Sequence, residues 1–357
     1  MYFQKKNILT INIEEFSSGI PIFPVFFPKE QYGNYYYINT YLPYSVLDCI
    51  SCHHSFPFQV DSKETLHLDG DYKAKYYLSN IQFNNDILIS NFSLYFIENT
   101  FWFRDSGISL GYHFKDESFS LLHKLYNSKM IDHLQFAFHN PIENMHGHLY
   151  LGGIPNESHQ LFLYKGVIPI DESLPSWGFS LNKVEYDNTT IQVNIPVIIN
   201  NVMDYMLVST ELYQIIKFKL NNYLNNKKCE ELEGFYELKY LSCEHYPVND
   251  TIKFYFNSIS ILIKIKDLSD YSLFRSNSEK PIHNFKGGVI GVPFLNMFNY
   301  TIFDYENKQI EFYSDLPIIR IVNNNSTNNN VISLFGINIL MCLSYIIVFY
   351  IKSNRVI

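Results

Sequence analysis

The sequence predicts an all-β fold in two lobes, followed by a transmembrane helix near the C-terminus. Three observations carry that expectation. Aromatic residues make up 17% of the 357-residue chain, with Tyr and Phe far ahead of Trp, a bias that suits strands more than helices. Short apolar and polar alternations, broken by turn residues, recur almost throughout. The run VISLFGINILMCLSYIIVFYI, residues 331–351, carries no charge and has about the length that crosses a hydrocarbon core as a helix.

In chain order, YYYINTYL, ILISNFSLYFI, GHLYLGG, IQVNIPVII, TIKFYFNSISILIKI and QIEFY read as strands. Helical patterns are few. Ser118 to Asn127 is one; Ser209 to Leu224 is the other, where Ser or Thr caps the first turn and Leu212, Ile215, Ile216 and Leu220 form an apolar stripe. The length allows two lobes of about 150 residues each, with expected boundaries at 1–155 and 156–320. An Asn-rich linker at 321–330, the membrane helix at 331–351 and a short tail at 352–357 follow.

Charge and flanks narrow the setting. A net charge of −8 without long Lys/Arg runs argues against a nucleic-acid partner, because neutralising phosphates requires clustered basic side chains. Lys352 and Arg355 follow the apolar run directly, and positive flanks stay cytosolic. The expectation is a single-pass type I membrane protein whose large N-terminal part faces a lumen or the outside. The opening MYFQKKNILTINIEEF holds no apolar run long enough for a signal peptide, so either a preceding segment is missing or the chain inserts by its tail; the first is expected. Sequons at Asn91, Asn156, Asn188, Asn249, Asn299, Asn324 and Asn325 suit a luminal glycoprotein.

Four collinear segments carry a resemblance. They are Ser106-Gly107-Ile108-Ser109-Leu110-Gly111 with the helix after it, Gly147-His148-Leu149-Tyr150-Leu151-Gly152-Gly153, Trp177-Gly178-Phe179-Ser180-Leu181, and Val289-Ile290-Gly291-Val292-Pro293-Phe294-Leu295 leading to Tyr300–Asp304 and Lys308–Phe312. In this order they resemble the pepsin-like aspartic proteases over most of residues 30–315. That resemblance implies the bilobal pepsin-like fold. It also implies two Asp-Thr-Gly turns, one per lobe, that face each other under a flap and share a proton between their carboxylates.

The expected turns are degenerate. Counting back from Ser209-Thr210 puts Asn200 at the second aspartate and Val202 at the glycine, and Asn200 cannot act as a base. In the first lobe Tyr44-Ser45-Val46-Leu47 resembles the strand that enters the turn, which makes Asp48 a possible remnant of the first aspartate, with Ile50 in place of glycine. A second alignment matches Cys49-Ile50-Ser51-Cys52 to the Cys-rich insertion of membrane-anchored members, with the turn deleted. Residues 66–83 read as the flap hairpin, with Tyr72 the best candidate for its tyrosine. Val292 replaces an acid of the family, a change that fits turns already made apolar.

Cys49-x-x-Cys52-His53 also matches covalent haem attachment or a metal site, but no second ligand cluster accompanies it, and a local disulfide is the leading reading. Cys229 and Cys243 close a loop of about 15 residues, for which chain entropy gives on the order of 3 kcal/mol. No cofactor and no metal are expected. Taken together, the residues point to a membrane-anchored aspartic-protease-like protein that has lost catalysis and binds an extended peptide or protein in the cleft between its lobes. The alternative is a divergent active endopeptidase that uses Asp48.

Overall fold

The alternating run from Ile87 to Ile97 forms one strand of eleven residues, and most of the chain follows suit. A computed structural model of the protein describes residues 7–15, 21–28, 32–48, 65–67, 73–83, 87–97, 107–113, 117–139, 146–155, 162–186, 189–203, 206–208, 210, 213–214, 216–218, 229–233, 239–243, 251–257, 259–264, 273–275 and 287–322. The first half holds β1 (Leu9–Glu15), β2 (Pro21–Phe27), β3 (Tyr32–Asn39), β4 (Val46–Asp48), β5 (Thr65–His67), β6 (Lys73–Phe83), β7 (Ile87–Ile97), β8 (Ile108–Ser109), helix α1 (Leu121–Asn127), β9 (Gln135–His139) and β10 (His146–Leu151). The second half holds β11 (Tyr164–Pro169), β12 (Gly178–Tyr186), β13 (Thr189–Ile199), β14 (Met206–Val208), β15 (Cys229–Glu233), β16 (Lys239–Cys243), β17 (Thr251–Phe256), β18 (Ile259–Lys264), β19 (Leu273–Arg275), β20 (Gly288–Ile290), helix α2 (Val292–Leu295), β21 (Tyr300–Asp304), β22 (Gln309–Ser314) and β23 (Ile319–Ile321).

Local chemistry explains the punctuation. Ser120 caps α1 by accepting from the His123 N–H at 3.2 Å, as a Ser before an apolar turn should. The run TIKFYFNSISILIKI divides into β17 and β18, paired antiparallel, because Asn257 turns the chain with φ of 39°, a left-handed conformation that Asn tolerates. Gly152 and Gly153 end β10 with φ of 92° and 125°. A Cβ on Gly152 would lie 2.7 Å from that of Ile131, so the Gly-Gly pair is required by both conformation and space. Among residues 209–224, Tyr213 and Ile216 are helical and buried.

The two halves meet in one antiparallel sheet, ordered β11-β22-β21-β9-β10-β1, with three strands from each half. Its centre is the pairing of β9 with β21, where Phe136 lies opposite Phe303 with rings stacked 4.5 Å apart. Trp177, fully buried, stands edge-on to both, at 5.7 Å and 5.2 Å, and touches Tyr112 at 4.9 Å. Its indole N–H donates to the Leu110 carbonyl at 2.8 Å. The same sheet continues from β1 through β2, β6 and β7 to β4, with β3, β5 and β8 joined to it, and this continuation builds the first lobe. The second lobe is a separate sheet, β15-β16-β19-β14-β20-β13-β12-β17-β18-β23.

Residues 323–357, including the expected membrane helix at 331–351, lie outside the described residues, as do Cys49, Cys52 and Tyr72. Among the described residues no helix is long and apolar enough to cross a membrane.

The position of Trp177 yields a stability prediction. Trp177→Ala removes the ring that bears on the inter-lobe stack and should lower unfolding stability in urea by about 3–5 kcal/mol. Leu163→Ala, at a side chain 78% exposed, should change it by less than about 0.5 kcal/mol.

Candidate active site

Two strand pairs of the same design carry the site. In the first lobe β3 runs parallel to β8, with Ile38 opposite Ile108 and Asn39 opposite Ser109. In the second, β13 runs parallel to β20, with Ile198 opposite Val289 and Ile199 opposite Ile290. Gly288 permits that approach, since a Cβ there would lie 2.7 Å from Val197 Cγ1. Each strand then breaks into a turn held by its neighbour: the Leu110 N–H donates to the Asn39 carbonyl at 2.7 Å, and the Asn200 N–H donates to the Ile290 carbonyl at 2.9 Å.

The turns are Asn39-Thr40-Tyr41 and Asn200-Asn201-Val202, and their first side chains act alike. Asn39 Oδ1 accepts from the N–H groups of Tyr41 at 2.8 Å and Leu42 at 2.9 Å. Asn200 Oδ1 accepts from the Val202 N–H at 3.1 Å. Both Asn residues are buried, at 0% and 1% exposure. The middle residues interlock across the lobes. The Thr40 N–H donates to Asn201 Oδ1 at 2.9 Å, the Asn201 N–H donates to Thr40 Oγ1 at 3.3 Å, and Thr40 Oγ1 donates to the Ile199 carbonyl at 3.3 Å. Ser176 Oγ donates to the Thr40 carbonyl at 2.6 Å. The fourth bond of a symmetric set, from the Asn201 side chain to the Ile38 carbonyl, is not made: Asn201 Nδ2 is buried without a partner, and so is Asn200 Nδ2.

The third residue of each turn is apolar and packed. Val202 and Val292 form a small buried cluster with Tyr37 against it, and the Val292 N–H donates to the Met203 carbonyl at 2.8 Å. Val292 opens α2, with Gly291 at its N-cap and Pro293 in its first turn. Tyr41 belongs to a cluster drawn from both lobes, which includes Leu42, Val46, Tyr95, Phe119, Met203 and Leu207. Tyr95 stacks on Phe119 at 5.2 Å within it.

A chain whose halves share one sheet and whose lobes interlock through two such turns has the plan of an aspartic protease. The eukaryotic aspartyl protease family matches residues 80–314, about two thirds of the sequence. The chain belongs to this family. Among solved structures it is similar to the aspartic proteinase from Irpex lacteus, with a TM-score of 0.62 and 11% identity over 86% of this chain and 97% of that one. No curated protein sequence matches. The family match takes in the second turn and begins well past the first.

The sequence-predicted residues fall in different places. Asn200 lies in the second turn. Asp48 does not lie in the turn that meets it: it ends β4, opposite Ile97 of β7, beyond Asn39-Thr40-Tyr41. The stretch Tyr44–Leu47, read as the strand entering the first turn, is instead the one that leaves it. The available signal was Ile38-Asn39-Thr40 at the end of an alternating aromatic strand, which differs from Ile-Asp-Thr by one carboxamide. Strand β5 pairs antiparallel with the start of β6, Thr65 opposite Lys75 and His67 opposite Lys73, which is the expected hairpin; Tyr72 in its connection lies outside the described residues.

The interlock makes a testable pair of substitutions. Thr40→Val leaves the Asn201 N–H and the Ile199 carbonyl unpaired in the interior, and should cost about 1–3 kcal/mol in denaturant unfolding. Asn201→Thr removes a buried unpaired amide group, keeps an oxygen for the Thr40 N–H, and should be neutral or stabilising by up to about 1 kcal/mol.

Proposed function

We propose that this protein is a catalytically inactive member of the aspartyl protease family that binds an extended peptide or protein segment in the cleft between its lobes. The observation that carries the proposal is the pair of buried carboxamides, Asn39 and Asn200, each bonded to the N–H two residues on within an interlocked turn. Peptide hydrolysis in this family needs one carboxylate to take a proton from water and a protonated partner to donate to the scissile carbonyl. A carboxamide offers an acceptor oxygen and a donor nitrogen but cannot take the proton. Tyr41 and Val202 then put side chains where the family keeps glycine.

Binding does not need a carboxylate, because extended ligands are held in a cleft by strand-like main-chain bonds. Cleavage of unfolded protein between pH 3 and 7 that a statine-type transition-state analogue can inhibit should be absent from the purified protein. Asn39→Asp with Asn200→Asp should not restore it while Tyr41 and Val202 remain. Analogue-sensitive turnover by the unmodified protein would overturn the proposal.

We further propose that the protein is anchored by residues 331–351 with its lobes in a luminal or extracellular space, where sequons such as Asn91 carry glycans. Cys229 and Cys243 are direct partners in the β15–β16 register. Such partners have Cα atoms about 4.5–5.5 Å apart, inside the span of about 4.4–6.8 Å that a disulfide bridges, and disulfides persist in oxidising compartments. Mass spectrometry of the non-reduced protein should find these two cysteines joined; two free thiols would place the lobes in the cytosol.

A further inference from the structure

Two histidines sit on the sheet that joins the halves, apart from the turns and without a part in the function proposed above. His139 of β9 is the register partner of His148 on β10 and, on its other side, of Tyr300 on β21. The three rings form a row: His139 stacks on Tyr300 at 4.3 Å and faces His148 at 5.8 Å, with 11° between planes. Because β21 belongs to the second half, the row crosses the join itself. Each histidine is half-buried, and the Nδ1 atom of each is closed off without a hydrogen-bond partner.

What a further proton meets there follows from the chemistry of the ring. A neutral imidazole carries one N–H, and with no acceptor beside Nδ1 that hydrogen sits on Nε2. Protonation adds an N–H at Nδ1, so a charged donor is aimed into an enclosed space without an acceptor. The neighbours do not compensate. From β10, Tyr150 lies 5.9 Å from His148 and 6.4 Å from His139; from β1, uncharged Asn12 stands opposite His148, and Glu14 stands opposite His146, two residues along. From β22, Tyr313 pairs with Tyr300, and the Glu311 carboxylate is held by Lys165 at 2.8 Å. Burial above all pushes the Tyr150 and Tyr313 phenols up to about 12, so neither carries a charge in neutral or acid solution. No carboxylate among the described residues answers either Nδ1. Burial, and then the neighbouring His148, accordingly hold His139 below the usual histidine range.

We propose that this row makes the join between the halves sensitive to pH: it holds while both imidazoles are neutral and loosens when acid protonates them. A charge on one ring also disfavours a charge on the other. The sign follows from the folded state's preference for neutral rings. The row's contribution is fully present above about pH 6.5, where an unfolded histidine is neutral. Below that value it is lost, because the unfolded chain takes up protons that the folded chain refuses. For each ring kept neutral, the unfolding constant rises by up to about tenfold per pH unit. The loss falls on the pairing of β9 with β21, through which the two halves share a sheet.

Urea unfolding of the full-length chain in a nonionic detergent, at about pH 7.5 and about pH 5.5, tests the row against a double variant, His139→Phe with His148→Phe, which keeps the rings but cannot take up a proton. Relative to that variant, the unmodified chain should lose up to about tenfold in its folding equilibrium for each histidine over this interval. An equal pH dependence in the two proteins would overturn the proposal. Buried His123 is present in both, so its own response cancels. His133→Gln should keep the unmodified chain's dependence, since that ring bonds Glu306 on the surface. Should the double variant fail to fold, hydrogen exchange of the unmodified chain decides, with rates corrected for the intrinsic effect of pH. Loss of protection at the lower pH confined to β9, β10 and β21 supports the proposal; unchanged protection there, or equal loss in β12 and β13, overturns it.

Discussion

The buried indole of Trp177 is the constraint on which the arrangement of the site depends. Its ring bears on the Phe136–Phe303 stack where the two halves join, and its N–H holds the Leu110 carbonyl. Leu110 in turn donates to the Asn39 carbonyl, and the Trp177 carbonyl accepts from Ile199, next to Asn200. One side chain and its own peptide group therefore connect the central sheet to both turns. The preceding residue adds Ser176 Oγ on the Thr40 carbonyl. Aromatic packing supplies stability there, and directional hydrogen bonds convert it into position.

On the reading proposed above, a carboxamide stands in each turn where the family keeps a carboxylate, and that exchange is structurally mild. What holds each turn is an oxygen accepting from the N–H two residues on, and Asn39 and Asn200 keep that oxygen. The exchange also removes a tension inherent in the active design, because two close carboxylates cannot both ionise. Neutral amides have no such conflict, so the turns impose no charge requirement on folding. The cost falls elsewhere, on the Nδ2 groups of Asn200 and Asn201, which are enclosed without acceptors. Valine at 202 and 292 follows the same logic: with no ionised pair nearby, an apolar contact between the two fills the space.

Much of this was legible in the sequence. Period-two alternation placed β7, β10 and β13 nearly to the residue, because strands half or wholly buried cannot shift register without turning their apolar side chains outward. The stretch from Ser118 to Asn127 announced α1, and the order of four short segments announced the family fold. The first-lobe turn was not legible because Asn39 opens it in place of an acid, while Asp48 is an acid near a plausible strand. Nothing local distinguishes a strand that enters a turn from one that leaves it; the hydrogen bonds between Thr40 and Asn201, 161 residues apart, decide the matter. Side chains that meet only across the lobes, such as His139 with Tyr300, are equally silent in a linear reading.

The central sheet has a consequence for how the chain can be divided. Because β9, β10 and β1 come from the first half and β21, β22 and β11 from the second, neither half encloses its own share of the interface. A polypeptide ending near residue 155 would present β9 as an open edge, with Phe136 and Phe138 deprived of Phe303. The complementary piece would present β21 in the same state. Apolar edges of that kind pair with whatever strand is at hand. The lobes are thus separable as sheets in the architecture but not as molecules, and the chain must be made whole before either half is safe from association.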